Sequence, residues 1–410
     1  MQLGWVDYSR QERETIKELL EILKDSSSVD ELGVGIVRDS ISDLLYPGTS
    51  VLHTRAKYYI LIPALFKKAM KSGYTTASEI RRLIDSDQDK IAEKLREAKD
   101  EETNAKPVGI IGARSKTVKM KPSRIYWNSM RTIGILHNPA VSYDDACSAV
   151  ASYNKKRQNI ELKKETDEDG GDALDALEGA FTIFRAPCNE SIEDYMKNAT
   201  LHLSYDEATY LKEQFLYMPI MKDTLMKYCL ENEQSFEDIA LGELTELTEL
   251  PPMSPELKRR LMFAKEFSNF IYGAYIVYNL VFMGNGGDKA TITVREKFED
   301  SYKEWKESNK GLPHREEILG LVSGHEYYKA SLRAFLIDFE KAVNENNTEV
   351  CSDREKTLVR ERELTCKKAK AKIGRDYSYA EIQTAPMHFR HWTAQRIISD
   401  ILKGLKKDNG

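Results

Sequence analysis

The chain is short of the features that identify an activity at sight. Its 410 residues contain no GxxxxGK, GxGxxG, HExxH or GxSxG motif, so the common phosphate-loop, dinucleotide, zincin and hydrolase signatures are missing. Cysteine is scarce. The five residues Cys147, Cys188, Cys229, Cys351 and Cys366 are odd in number, widely spaced and without a CxxC, which fits reduced thiols in a cytoplasm rather than a disulfide framework or a zinc site. Only 12 Pro and 22 Gly are present, which excludes a fibrous or low-complexity chain. The opening MQLGWVDYSRQERE has no basic stretch followed by an apolar one, so no secretory signal is expected. The longest apolar run, residues 270–284 (FIYGAYIVYNLVFMG), carries Asn279 and is shorter than the ~20 residues of a membrane-spanning helix. It reads as a buried core helix. Charge of one sign is not in large excess either. Sixty-one Lys and Arg against 66 Asp and Glu give a net −5, which argues against a uniformly basic nucleic-acid coat, though binding depends on charge placement rather than on the total.

What is present is helical periodicity. Ser9 and Glu12 stand at capping-box spacing before an apolar face of Ile16, Leu19, Leu20 and Leu23. Residues 52–72 read as a largely buried helix that Pro63 should kink or divide. Thr76 and Glu79 open a helix over 76–100, Ser142 and Asp145 one over 142–157, and residues 203–218 a third. Residues 104–121 carry Gly, Pro and β-branched residues and suit a loop or short strands, with strand candidates at 108–112, 117–120 and 180–185. Pro251-Pro252 and Pro255 mark a boundary. Long helices are expected over 254–283, 293–310, 325–343, 353–372 and 393–407. The reading is a mainly α, multi-helix bundle architecture with a small α/β, winged-helix-like element. It divides into an N-terminal helical domain (1–102), a small basic αβ element (103–160), a middle helical region (161–250) and a C-terminal helical domain (251–410).

Chemistry-bearing residues are densest in DELGVGIVRDSISDLLYPGTSVLHTRAKYYILIP. Asp39 and Asp43 lie four apart, on one face of a helix, among Arg38, Arg55 and Lys57. Two carboxylates followed by basic residues suit a divalent metal beside a phosphate, and Asp39, Asp43 and Lys57 are the candidate residues of a metal-dependent nuclease. The same charges more readily describe a partly buried ion-pair network between helices.

These residues also carry a resemblance. LGW-D-S at the start, RD-x3-DLL-x-PGTS and TRA-x-Y-x3-IP, with Trp5, Asp7, Arg38, Asp39, Asp43 and Arg55 among them, resemble an uncharacterised bacterial family known only as a domain of unknown function. The tail MHFRHWTAQRIISDILKGL, with Trp392, is similar to the aromatic Trp motif of the same family. The resemblance implies genes placed among bacterial anti-phage defence genes, beside helicase-like and methyltransferase-like proteins. It supplies no reaction and no catalytic residue.

Two segments concentrate positive charge. Residues 113–131 hold Arg114, Lys116, Lys119, Lys121, Arg124 and Arg131 with no acid, followed by Tyr126 and Trp127 as packing or stacking groups. Residues 354–375 hold nine basic residues, Lys367, Lys368, Lys370 and Lys372 among them, against three acids, a surplus of +6 that leaves −11 on the rest of a −5 chain. Both are candidate phosphate-backbone contacts. His388 and His391 have no carboxylate or Cys at ligand spacing, so no metal is expected there, and no cofactor or small-molecule substrate is evident. Trp392, Ile397, Ile398 and Leu402 read as the docking face of a final helix. The expected protein is a cytoplasmic, non-catalytic subunit of an anti-phage defence system that contacts DNA or a nucleic-acid-processing partner. The metal-dependent nuclease and a structural protein–protein adaptor are its alternatives.

Overall fold

The computed structural model describes residues 30–100, 104–112, 120–164, 182–187, 190–246, 250–284, 289–326, 328–375 and 379–407. The helices in these residues are, in chain order, α1 (Gly35–Leu45), α2 (Tyr58–Met70), α3 (Ala77–Glu97), α4 (Pro122–Thr132), α5 (Tyr143–Lys164), α6 (Ile192–Tyr195) and α7 (Tyr205–Tyr217). There follow α8 (Leu225–Glu231), α9 (Pro255–Met283), α10 (Lys289–Ser308), α11 (Arg315–Gly320), α12 (Ala330–Glu345), α13 (Asp353–Lys367) and α14 (His391–Lys406).

Capping chemistry sets many of the helix starts. Reciprocal boxes join Thr76 to Glu79, Ser204 to Glu207 and Ser352 to Glu355 at the heads of α3, α7 and α13. Ser142 and Asp145 bond each other in the same way before α5, which runs to Lys164 rather than ending at 157. Each such cap stabilises its helix by about 0.5–2 kcal/mol. The capping box expected at Ser9 and Glu12 lies outside the described residues.

The chain forms two compact units, neither of them one continuous stretch. The first holds Tyr46–Glu237 and the chain from Trp392 onward; the second holds the segment that ends at Leu45 together with Asp238–His391. The first unit is organised on α2, against which α3, α4, α5 and α6 pack. Pro63 sits inside α2 without dividing it. An interior proline costs about 3 kcal/mol, but Tyr59, Ile60, Leu61, Ile62, Leu65 and Phe66 are all buried, and each large apolar side chain contributes about 1.5–3 kcal/mol, so packing prevails.

The second unit is organised on α9, which packs against α1, α10 and α13. The apolar run 270–284 is its C-terminal half and is buried over most of its length. Gly273 admits the Trp305 indole of α10: a Cβ there would lie 2.0 Å from the ring. Asn279, fully buried, donates to the Tyr275 and Ile382 carbonyls and accepts from the Ile382 N–H and the Tyr379 hydroxyl, so the polar group inside this run pins residues 379–382. Among the described residues no helix is long and apolar enough to cross a membrane.

The small αβ element is not found among the described residues. Residues 108–112 form turns around Ile110 and no strand, 117–119 lie outside the described residues, and the one β feature among the described residues is an antiparallel bridge between Leu136 and Phe184. The physical reason is that α4 and its neighbours bury the apolar side chains of this region. Tyr126, Trp127, Met130, Ile133 and Ile135 are all core, so no sheet face is needed to cover them.

Candidate functional site

In the second unit α1, α12 and α13 surround a polar cleft of about 600 Å³. Its lining brings together the motif residues Arg38, Asp39 and Asp43 with Arg362, Cys366 and Lys367 of the positively charged segment, and with Asp30, Lys329 and Ser331. Local chemistry shapes it. The Asp30 carboxylate accepts the Val34 and Gly35 N–H groups at 2.7 and 2.8 Å, a side-chain cap on the start of α1. Gly33 takes φ +62°, and a Cβ there would meet Cys366 Sγ at 2.6 Å and Arg362 Nη2 at 2.9 Å. Only glycine admits both the backbone angle and the contact.

The acidic motif pair is occupied by arginine. Arg38 donates to Asp39 at 3.0 Å, and Arg390 reaches Asp43 at 2.6 Å and Asp39 at 3.6 Å. The two carboxylates are 49% and 60% exposed. Arg390 and its neighbour Phe389 both lie at positive φ, 63° and 47°, a conformation that costs a non-glycine residue on the order of 1–3 kcal/mol. Lys57 is engaged in the first unit, where its ammonium bonds both oxygens of Glu207 at 2.7 and 2.8 Å. Asp39 and Asp43 therefore share Arg390, while Lys57 is paired with Glu207. Among the described residues no three His, Cys, Asp or Glu converge as metal ligands.

Much of the second positively charged segment turns inward. α13 ends at Lys367 because Lys368 adopts φ +51°, so the expected helix does not continue to 372. The chain folds back, and the buried Glu363 carboxylate accepts the Lys372 and Ile373 N–H groups and the Tyr278 hydroxyl. Lys372 and Lys367 lie 2.8 and 3.5 Å from the fully buried Glu31. A charge with no exposure needs such counter-charges. Lys368, Lys370 and Arg375 remain exposed.

The first segment is similar where it is described. Lys121 pairs with Asp89 at 2.6 Å, the Arg124 guanidinium stacks 4.1 Å over the Tyr143 ring, and Arg131 donates to the Val141 carbonyl. Tyr126 and Trp127 are 0% and 5% exposed and belong to the core. Arg114, Lys116, Lys119, Trp5 and Asp7 lie outside the described residues.

Arg55 has a structural place in the first unit. Its guanidinium meets Asp400 at 2.9 Å through both Nε and Nη2, and the Ala56 N–H donates to the same carboxylate at 2.8 Å. The Tyr126 hydroxyl accepts the Thr54 and Arg55 N–H groups and donates to the Arg55 carbonyl. His391 is fully buried and within 2.9 Å of the Ile239 carbonyl. Ile397, Ile398 and Leu402 are buried as expected of a docking face, while Trp392 keeps 37% exposure.

Sequence reasoning missed Asp400 and Glu31, and saw Arg362 only as one of the cations of residues 354–375. Asp400 falls in the apolar pattern of α14, where a lone carboxylate among Ile398, Ile401 and Leu402 was the available signal. Glu31 gives none, since its partner Lys372 is hundreds of residues away along the chain.

No curated protein and no solved structure matches the chain. A family model does, over residues 1–402, and the chain belongs to that family, DUF6361, a family of unknown function.

Proposed function

We propose that this protein is a non-catalytic, nucleic-acid-contacting subunit of a cytoplasmic bacterial anti-phage defence assembly. The observation that carries the reading is the exposed positive edge after α13. Lys368 and Lys370 have no ion-pair partner among the described residues, and Arg375 bonds only the Lys368 and Ala369 carbonyls. These exposed cations are not neutralised locally, which is what phosphate-backbone contact requires. Arg114, Lys116 and Lys119 are a second proposed phosphate contact, argued from the sequence alone. The non-catalytic character is supported by Arg390, which stands between the two motif carboxylates. The defence setting rests on the resemblance of the motifs.

The test is duplex DNA retention measured against salt. Replacing Lys368, Lys370 and Arg375 together by Glu should weaken binding and lower the slope of log affinity against log salt by about 2–3, since each phosphate contact contributes roughly 0.9. An unchanged slope removes these residues as the contact. The nuclease alternative makes the opposite demand: divalent-dependent cleavage abolished by Asp39→Ala in a folded protein. An adaptor would bind no DNA and would co-purify with a partner after nuclease treatment.

A further inference from the structure

We propose that the cleft between α1, α12 and α13 binds a phosphate-bearing small ligand, with its phosphate seated on Arg362. Buried charges are ordinarily paired. Arg362 is 6% exposed, yet among the described residues no carboxylate bonds it. Its donors go to neutral oxygens: Nε to the Leu32 carbonyl at 2.7 Å, Nη2 to the Gly33 carbonyl at 3.2 Å and Nη1 to Ser331 Oγ at 3.2 Å. A guanidinium has five N–H donors in a fork matched to phosphate, so two stay uncommitted. The Phe335 ring centre lies 5.6 Å from the guanidinium carbon.

The surroundings suit an anion. Lys329 lines the same cleft, is exposed and has no ion-pair partner among the described residues. Lys367 contributes a second ammonium, only loosely held at 3.5 Å from Glu31. Asp30, whose charge also acts on Arg362, makes no hydrogen bond to it and is turned onto the Val34 and Gly35 N–H groups. At about 600 Å³ the cleft is larger than a phosphate ion needs and falls in the range of roughly 300–1,000 Å³ typical of ligand pockets. Asp39 and Ser40 offer hydrogen-bond acceptors to the hydroxyl or amino groups of a sugar or base. The inference does not depend on DNA contact at Lys368 and Lys370.

Cys366 lines the cleft and is half-buried, whereas Cys147, Cys229 and Cys351 are buried, so its alkylation reports on occupancy. The experiment is maleimide labelling of the full chain, read at the Cys366 peptide by mass spectrometry, with adenosine monophosphate, inorganic phosphate or adenosine as the probe. Both phosphates should slow labelling saturably, and adenosine should not. A lower midpoint for the nucleotide assigns the cleft to a nucleotide; equal midpoints assign it to free phosphate. Arg362→Lys loses backbone bonds and risks the fold, so Lys329→Glu on the rim is the decisive variant. It should raise the midpoint about tenfold, the effect of one charged hydrogen bond. The proposal is overturned if neither phosphate protects Cys366, if adenosine protects it equally, or if Lys329→Glu leaves the midpoint unchanged.

Discussion

Arginine and aspartate join the N-terminal motif to the C-terminal motif in both units, and the two joints are built differently. In the first unit Arg55 and Asp400 face each other with side chains only 10% and 6% exposed, and Tyr126 and Ala56 complete the bonding. In the second, Arg390 meets Asp43 and Asp39 at the rim of a cleft, where the carboxylates are about half exposed. The residue types are the same and the energetics are not. A buried pair is costly to break, because the survivor is left charged and unsolvated. An exposed pair is screened by water and is worth little to stability. The difference separates a joint that holds the fold from one whose groups stay within reach of a ligand.

The largest effect should come from the buried joint. Asp400→Ala strands the Arg55 guanidinium and should cost about 3–5 kcal/mol, read as a lowered urea midpoint; a loss below about 1 kcal/mol would place it with the exposed pair and erase the distinction. Tyr126→Phe comes next. It leaves the Thr54 and Arg55 N–H groups without their acceptor, for about 1–3 kcal/mol, and a neutral result would mean that water replaces the hydroxyl.

Arg390→Gly should be close to neutral, within about 1 kcal/mol. The exposed pair is lost, while a residue at φ 63° is relieved of left-handed strain. A large destabilisation here would show that the rim is structural after all. A comparably small effect, but one that depends on pH, is expected at Glu193, whose hydrogen bond from Lys68 holds its carboxyl below the ordinary carboxylate range. The contribution of such a pair is present above the unfolded carboxylate's pKa and is lost as pH falls through the depressed one. Glu193→Gln should therefore cost about 0.2–1 kcal/mol near neutrality and nothing in strong acid, and a pH-independent difference would exclude the ion pair as its cause.

Helix positions were legible from local signals because caps and apolar spacing are short-range. Thr76 with Glu79 begins a helix where its spacing predicts, and the helices expected over 203–218 and 254–283 begin after the caps Ser204 and Ser254. The limits of this reading are equally physical. α13 was expected to run to 372, but it stops at Lys367 because Glu363, itself buried, claims the backbone of Lys372 and Ile373. The motif residues were likewise visible as a pattern, with Arg38, Asp39, Asp43 and Arg55 standing out for their charge among apolar neighbours.

Their division into roles was not visible. Periodicity determined that the protein is helical and where most helices begin, since those preferences act within a few residues. Only tertiary structure decided which charges are buried with partners and which stay exposed: Lys372 against Glu31, Lys57 against Glu207, Arg55 against Asp400, and Lys368 and Lys370 exposed with no ion-pair partner among the described residues. Desolvation and Coulomb energy depend on which distant segments meet, and that information is carried by packing rather than by the order of residues.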